Sequence, residues 1–176
     1  ISPKGLLMTQ VMIDISALQW LAQQGATFAL PYGRTKSKFD KDWQNTPHPL
    51  PQALIHVKRL GNVGILTGKH SGNIIALDRD VDFGATVEML GDAGKTTKII
   101  RDNAPERGKF LYRVNGELPP TTSWKPQGHK HPLAELLSTG RHALTEPSMF
   151  EMGHYLLQDS DLGILEVTPE QLDRIW

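Results

Sequence analysis

Residues 63–82 of the chain read VGILTGKHSGNIIALDRDVD, and this stretch decides which fold and which chemistry the sequence predicts. A short apolar run is followed by a turn rich in glycine, serine and threonine, and then by a second apolar run at 74–77. Because the second run is β-prone and too short for a helix, we predict a buried strand there. The turn at 67–72 lacks the spacing of a Walker A loop and is interpreted as a hairpin connection between the two strands.

Acidic side chains follow the second predicted strand at every second position. If the extended backbone continues, Asp78 and Asp80 project from one face with Cα atoms about 6.6 Å apart, at about 3.3 Å per residue. Two carboxylates at this separation can share a divalent cation or bracket a pair of metal ions. The alternative is that the acids mark only the point at which the chain leaves the core and meets water, and such a short motif does not decide between the two.

Glu135 lies within a second apolar run, at 133–137, that also predicts a strand. An unpaired carboxylate inside a buried strand is costly, so this side chain needs a metal ion, a basic partner or access to solvent. The alternatives to a metal are an exposed edge position and a salt bridge with Arg113 or Arg141.

The composition is that of an ordinary globular protein: 176 residues, 39% of them hydrophobic and 22% charged. Basic and acidic residues balance at 19 each, so a nucleic-acid-binding surface would require locally clustered positive charge. The absence of cysteine excludes disulfides, thiolate zinc sites and a cysteine nucleophile. We expect a cytoplasmic protein without a membrane partner, because the sequence shows neither a signal peptide pattern nor a long apolar run.

These features together resemble the primase–polymerase (prim-pol) domain of the archaeo-eukaryotic primase superfamily. Its members show a lysine-containing entry, a tryptophan, and a core in which a glycine-rich turn, a hydrophobic strand and an Asp-x-Asp motif follow in fixed order. This chain has Lys36 and Lys38, then Trp43, and then residues 61–80, which read GNVGILTGKHSGNIIALDRD. The resemblance covers residues 28–155.

The resemblance implies a template-dependent nucleotidyltransferase, a DNA primase or polymerase, that acts in the replication of DNA, including that of a plasmid, phage or other mobile element. Asp78, Asp80 and Glu135 would be the catalytic and metal-binding residues, holding two divalent ions, Mg²⁺ or Mn²⁺. The implied partners are a single-stranded DNA template, NTP or dNTP substrates, and a helicase domain in the same chain or in a partner protein.

The resemblance also implies that the basic stretch 32–43 contacts nucleotide phosphate or template. Lys38 is the best match to the family lysine and Lys36 the second, with Arg34 nearby. A cationic loop beside a metal site is what a triphosphate with excess negative charge requires. Without the resemblance, a solvated surface loop is the ordinary interpretation of this stretch.

Three further positions complete the implied substrate-binding set. The family has a histidine after a small-residue turn where this chain has Lys109, which can supply charge to a triphosphate but cannot reproduce imidazole geometry. His142 and Ser148 follow Glu135 at positions that match the family pattern, where a proline-serine pair closes the motif; Glu146 replaces the first proline of that pattern.

Other functions remain open at this stage. The same acids could serve a metal-dependent nuclease or phosphoesterase. Lys109 makes a catalytically lapsed nucleic-acid-binding replication module a further alternative. The triplet His129-Lys130-His131 resembles the histidine pair of rolling-circle endonucleases, although its middle residue is charged and no tyrosine lies on a convincing helix.

The predicted fold class is α+β, with an RRM-like, mixed and mainly antiparallel sheet, a small N-terminal α/β module, and an active site in the groove between them. We predict one prim-pol domain over residues 1–176, built from modules at about 1–72 and 73–165 and cut from a longer protein. Helices are expected at 14–25, 51–59 and 82–90, with another starting after the N-cap residue Thr168. Further strands are expected at 26–31, 97–100 and 109–114, and residues 116–132 are expected to form an exposed loop.

Overall fold

The structure, a computed structural model, describes residues 12–176. Its helices are α1 (Ser16–Gln23), α2 (Leu50–Lys58), α3 (Phe83–Leu90) and α4 (Pro169–Ile175). Its strands are β1 (Phe28–Ala29), β2 (Gly64–Leu66), β3 (Ile74–Arg79), β4 (Lys98–Arg101), β5 (Gly108–Val114), β6 (Thr122–Trp124), β7 (Ala134–Leu137), β8 (His142–Leu144), β9 (Met149–Phe150), β10 (Gly153–Gln158) and β11 (Leu165–Val167). Residues 1–11, which the predicted module 1–72 includes, lie outside the described residues.

Within residues 12–176 the strands form two sheets. The smaller has the order β1-β2-β8, and the larger has the order β6-β7-β3-β5-β4-β10-β9, with β11 beside the second half of β5. The pairs are antiparallel except for that of β11 with β5. The predicted α+β class with mainly antiparallel sheet is therefore confirmed.

The large sheet is buried on both faces, because β3 alternates between two apolar cores. Ile74 and Ala76 point to one face, here called the front, and Ile75 and Leu77 point to the back. The front face packs against α1, α2 and the small sheet, and the back face packs against α3 and α4. Both helices predicted before residue 60 and both predicted after Asp82 are present, and Thr168 caps α4 through a capping box with Gln171.

The predicted hairpin between β2 and β3 is wrong, because the two strands belong to different sheets. The chain turns tightly at Gly68, whose φ of +94° favours glycine and where a Cβ would overlap the backbone of Thr139. The Gly68 N–H donates to the Ile74 carbonyl (2.7 Å), and the Gly68 carbonyl accepts from Ser71 and Asn73. The turn therefore closes on itself and passes the chain from the small sheet to the large one.

Two strands depart from the predicted division of the chain. β6 lies inside the stretch expected to be a loop, as a short edge strand paired with β7. β8 pairs with β2, so the small sheet requires a strand from far beyond residue 73, and its Ala143 and Leu144 share the front core with Ile74. The two predicted modules thus interlock around one core. Within residues 12–176 no helix has both the length and the apolar character that crossing a membrane demands.

Candidate active site

The register of the large sheet brings the predicted acids to one place. Asp78 on β3 lies directly opposite Lys109 of β5 on one side and Glu135 of β7 on the other. Opposite residues of antiparallel strands project from the same face with Cβ atoms about 4.5–5.5 Å apart. The three side chains therefore form a row across the front face. Asp80, two residues along β3, continues on the same side, and its N–H donates to the Leu133 carbonyl at 3.0 Å.

This row forms the floor of an open cavity of about 610 Å³, here called the front cavity. Its volume lies within the range of about 300–1,000 Å³ usual for ligand sites. Among the described residues, its ionisable lining comprises carboxylates, amines, guanidinium groups, a histidine and a tyrosine: Asp78, Asp80, Glu135, Glu151, Lys36, Lys109, Arg101, Arg107, His131 and Tyr155. Charges of both signs thus face one cavity.

The acids of the front cavity are electrostatically crowded. Burial, and then the neighbouring Asp78, raise the pKa of Asp80 and that of Glu135 above their ordinary values. Arg107 and Lys109 oppose the pKa shift of Asp80, while Arg141 and Lys109 oppose that of Glu135. Burial together with the charge of Asp78 therefore outweighs the effect of the neighbouring cations on both pKa values.

Lys109 is the cation closest to the acids. Its Nζ lies 3.7 Å from Asp78 Oδ1 and 5.8 Å from the centre of the Tyr155 ring. Burial lowers the pKa of this amine, but Asp78, Tyr155 and Asp80 together outweigh burial and leave the pKa raised. Lys109 is therefore held in its charged form against the acid row.

Two arginines of the front cavity were not singled out from the sequence. The Arg101 side chain is only 10% exposed, its guanidinium lies 5.7 Å from the Phe150 ring centre, and one guanidinium nitrogen lies 3.9 Å from Glu151. Its Nε has no hydrogen-bond partner among the described residues. Arg107, half exposed, lies at the start of β5. Alternation along β4 would have placed Arg101 on the face of Ile99, which lies opposite Lys109.

The basic stretch 32–43 is here called the entry loop. Of its three predicted substrate-binding residues, Lys36 is the one that lines the front cavity. Its Nζ lies 5.2 Å from the Phe150 ring centre, and burial, followed by the charge of Lys109, lowers its pKa. Lys38 is exposed, and its carbonyl accepts from the Tyr32 N–H at 2.7 Å. Arg34 donates to the Asn62 side chain at 3.2 Å. The structure thus places Lys36, the second match, where Lys38 was expected.

The His142 ring packs against two aromatic residues of the entry loop. Its ring makes edge contacts with Phe39 and Trp43, at centroid distances of 4.9 and 5.5 Å, and those two rings stack on each other at 4.1 Å. Burial, and then the charges of Lys109 and Lys36, lower its pKa to about 4. His142 is therefore a neutral residue that positions the loop, and it does not belong to the cavity lining.

Ser148 does not lie where the predicted substrate contact requires. It is fully buried, its hydroxyl donates to the Val63 carbonyl at 2.8 Å, and the same oxygen accepts from the Val63 N–H at 2.8 Å. Next to it, Asn62 exchanges hydrogen bonds with the Met149 backbone at 2.8 and 2.9 Å. Ser148 thus anchors the β8–β9 connection to the small sheet.

The carboxylate oxygens of Asp78, Asp80 and Glu135 are suitable ligands for a divalent cation. An all-carboxylate oxygen set suits Mg²⁺ or Mn²⁺, and the crowding of Asp80 and Glu135 is what a bound cation would relieve. Within residues 12–176, however, no group of three or more His, Asp or Glu side chains is gathered closely enough to hold a metal ion. Binding would therefore require the side chains of Asp78, Asp80 and Glu135 to converge.

The structure does not support the resemblance of the His-Lys-His triplet at 129–131 to the histidine pair of a rolling-circle endonuclease. It lies in an exposed connection before β7, and His131 alone of its histidines lines the front cavity. Tyr155, the tyrosine of that cavity, lies on β10 and is buried.

Comparison with known proteins gave no match, either to a protein-family model or to a curated protein.

Proposed function

We propose that the chain is a template-dependent nucleotidyltransferase of the prim-pol type. The observation that carries the proposal is the register that sets Asp78 between Glu135 and Lys109, with Asp80 in the same cavity. A divalent-ion site next to clustered cations is the arrangement that phosphoryl transfer from a nucleoside triphosphate requires. The resemblance of the sequence to prim-pol domains points to the same chemistry.

The side chains divide into two groups by charge. Asp78, Asp80 and Glu135 would hold two Mg²⁺ or Mn²⁺ ions, which when bound supply activation of the attacking hydroxyl and stabilisation of the departing pyrophosphate. Lys36 and Lys109, which both line the cavity, would compensate the negative charge of the triphosphate. Arg101 and Arg107 add to this charge, and the Nε of Arg101, buried and without a hydrogen-bond partner within residues 12–176, could donate to a phosphate oxygen.

The architecture supports the same proposal. Under this proposal the large sheet would correspond to the RRM-like module, and the groove would be the space between that sheet and the entry loop carrying Lys36. Template DNA and the growing strand would enter this groove from the open side of the front cavity.

Primer extension tests the proposal. Purified protein is incubated with a primed and an unprimed DNA template, Mn²⁺ or Mg²⁺, and either NTPs or dNTPs. We expect incorporation by the wild type and a loss of more than about 100-fold in Asp78→Asn, since a lost metal ligand removes several kcal/mol of transition-state stabilisation. Asp161→Asn, which changes an exposed acid, is the matched control and should retain activity. No incorporation by the wild type, or equal incorporation by Asp78→Asn, would contradict the proposal, and metal-dependent cleavage of DNA without nucleotides would indicate a nuclease.

The ion pair of Lys109 with Asp78 favours a second candidate, a nucleic-acid-binding replication module that has lost catalysis. An ammonium group 3.7 Å from a metal ligand already provides a counter-charge there. Lys109→His separates the two candidates, because restoring the family's residue should raise incorporation in a lapsed enzyme. A wild type that binds single-stranded DNA but shows no thermal shift with Mn²⁺ plus nucleotide would support the lapsed module.

A further inference from the structure

A second cavity, of about 260 Å³, opens on the back face of the large sheet, and we call it the back pocket. Strands β3, β7 and β6 form its floor, and α3 and α4 form its walls. The lining residues that matter for a ligand are Leu77, Arg79, Met89, Thr122, Trp124 and Trp176. It lies behind the acid row, because Leu77 and Arg79 alternate with Asp78 and Asp80 along the chain.

The walls of the back pocket suit a flat ring. Trp124 is 52% exposed, Trp176 41% and Met89 77%, although all three are large apolar side chains. Exposed aromatic side chains in a concave site stack readily on planar ligands. Thr122 lies opposite Leu136 on the back face, and its hydroxyl, which donates to the Pro120 carbonyl at 3.1 Å, can accept a hydrogen bond from the edge of a ring or from a sugar.

Arg79 gives the back pocket its charge. Among the described residues it is the one charged side chain in the lining, and no Asp or Glu side chain accompanies it. Its Nε is buried and lacks a hydrogen-bond partner within residues 12–176. A buried donor without an acceptor costs free energy, and an anionic acceptor on a ligand would recover that cost.

We propose that the back pocket binds a free nucleoside monophosphate, with its base stacked on Trp124 and its phosphate paired with Arg79. The cavity has room for one small ligand such as a mononucleotide, since its volume is below the usual range for drug-sized ligands. A nucleic-acid strand is a poorer occupant, because strand binding requires a row of cations along the backbone and the pocket provides a single one. The proposal is independent of the function assigned to the front cavity.

Titrations of the whole chain with AMP, adenosine and inorganic phosphate, in EDTA and followed by tryptophan fluorescence and calorimetry, test the proposal. We expect AMP to bind at least about tenfold more tightly than adenosine, because the phosphate adds a charge-assisted pair. Arg79→Gln should abolish this difference, and Trp124→Ala should weaken both AMP and adenosine. Arg59→Gln, which removes an exposed arginine just after α2, is the matched control and should bind AMP as the wild type does.

A variant of the front cavity separates the two sites. Lys36→Ala combined with Arg107→Ala removes two phosphate-binding candidates there and should leave AMP binding in the back pocket unchanged. The proposal is overturned if wild type does not bind AMP at millimolar concentration or binds adenosine equally well. It is also overturned if the double variant loses AMP while Arg79→Gln retains it, or if an oligothymidylate binds through Arg79 more tightly than AMP.

Discussion

The two faces of the large sheet behave differently over the same few residues. On the back, Ile75, Leu77 and Leu136 pack into an apolar core that continues to α3 and α4. On the front, Asp78 and Glu135, which adjoin Leu77 and Leu136 along the two strands, are half-buried carboxylates beside Lys109, whose side chain is also half-buried. One strand pair thus combines a stabilising face with a face on which like charges are held together.

The difference shows which part of the stretch serves folding and which part serves a ligand. Apolar burial on the back stabilises the strand pair independently of what the front face binds. Burial and the charge of Asp78 raise the pKa of Asp80 and that of Glu135, so these two carboxylates cost stability in their charged forms when no cation is present. Such a trade of stability for a charged site is expected where a protein binds an ion or a phosphate.

The largest effect is expected on the back face. Ile75→Ala should lower the free energy of unfolding by about 2–5 kcal/mol, because Ile75 is fully buried in the back core and the substitution leaves a cavity. Met152→Ala, which changes a side chain that is 92% exposed, should stay within about 0.5 kcal/mol. Urea denaturation measures both, and a loss below about 1 kcal/mol for Ile75→Ala would show that the back face is not a tightly packed core.

The next effect concerns His142, on the front side. Its pKa of about 4 lies below the value of 6.5 for an ordinary histidine, so the unfolded chain binds the proton more readily. Its contribution to stability is therefore present above pH 6.5 and is lost as the pH falls from 6.5 towards 4. The loss is on the order of 3 kcal/mol, at about 1.4 kcal/mol per pH unit.

Denaturation between pH 7 and pH 4 checks this expectation. His142→Gln should flatten the decline in that window, whereas His154→Gln, which changes an exposed histidine, should follow the wild-type curve. Parallel curves for wild type and His142→Gln would mean that His142 titrates normally and does not stabilise the entry loop as a neutral ring.

Substitution of Lys36 and of Lys38 tests which lysine of the entry loop binds nucleotide. Lys36→Ala should weaken nucleoside triphosphate binding about tenfold, because its amine faces the front cavity. Lys38→Ala should change the affinity less than about twofold, because this side chain, exposed like that of Lys36, lies outside the cavity lining. Calorimetric titration with Mn²⁺ and nucleotide decides, and the reverse order of effects would return the role to Lys38.

The smallest effect is a gain of stability. Because the pKa of Asp80 is raised, the folded state favours the neutral carboxyl group. The favourable contribution of Asp80 to folding stability is therefore present below pH 3.8 and is lost as the pH rises through the raised pKa. In EDTA at pH 7, Asp80→Asn should therefore raise Tm by about 2–4 °C, which corresponds to about 1 kcal/mol in a domain of this size. Differential scanning fluorimetry should show the gap closing at pH 3.5, and a lower Tm for Asp80→Asn at pH 7 would contradict the crowding of the acids.

Local pattern predicted most of the elements. The strand at 74–77, the helices and the cap at Thr168 follow from periodicity and capping chemistry that a short window contains. The hairpin failed because the turn at Gly68 could equally close on itself, and which strand β3 pairs with is decided by residues far away. β6 was missed because three residues on an edge leave no periodic signal.

The residues of the candidate site were likewise only partly predictable from local sequence. Glu135 stood out as an acid inside an apolar run, and Asp78 was identified by the turn, strand and Asp-x-Asp order around it. Arg101 and Arg107 flank strands where cations are ordinary, and only the register of β4 with β5 places Arg101 beside Lys109. Ser148 matched a motif but is used by the backbone of Val63, a contact across 85 positions that no local pattern contains.

Binding of Mn²⁺, followed by the loss of the free-ion signal in electron paramagnetic resonance, tests the central claim that Asp78, Asp80 and Glu135 form a divalent-ion site. The account predicts that wild type binds Mn²⁺ in the presence of a nucleoside triphosphate more tightly than the nucleotide alone does. Asp78→Asn and Glu135→Gln should each weaken that binding at least about tenfold, while Asp161→Asn should not. Wild-type protein that leaves the free Mn²⁺ signal unchanged, or Asp78→Asn and Glu135→Gln variants that bind as well as wild type, would contradict it.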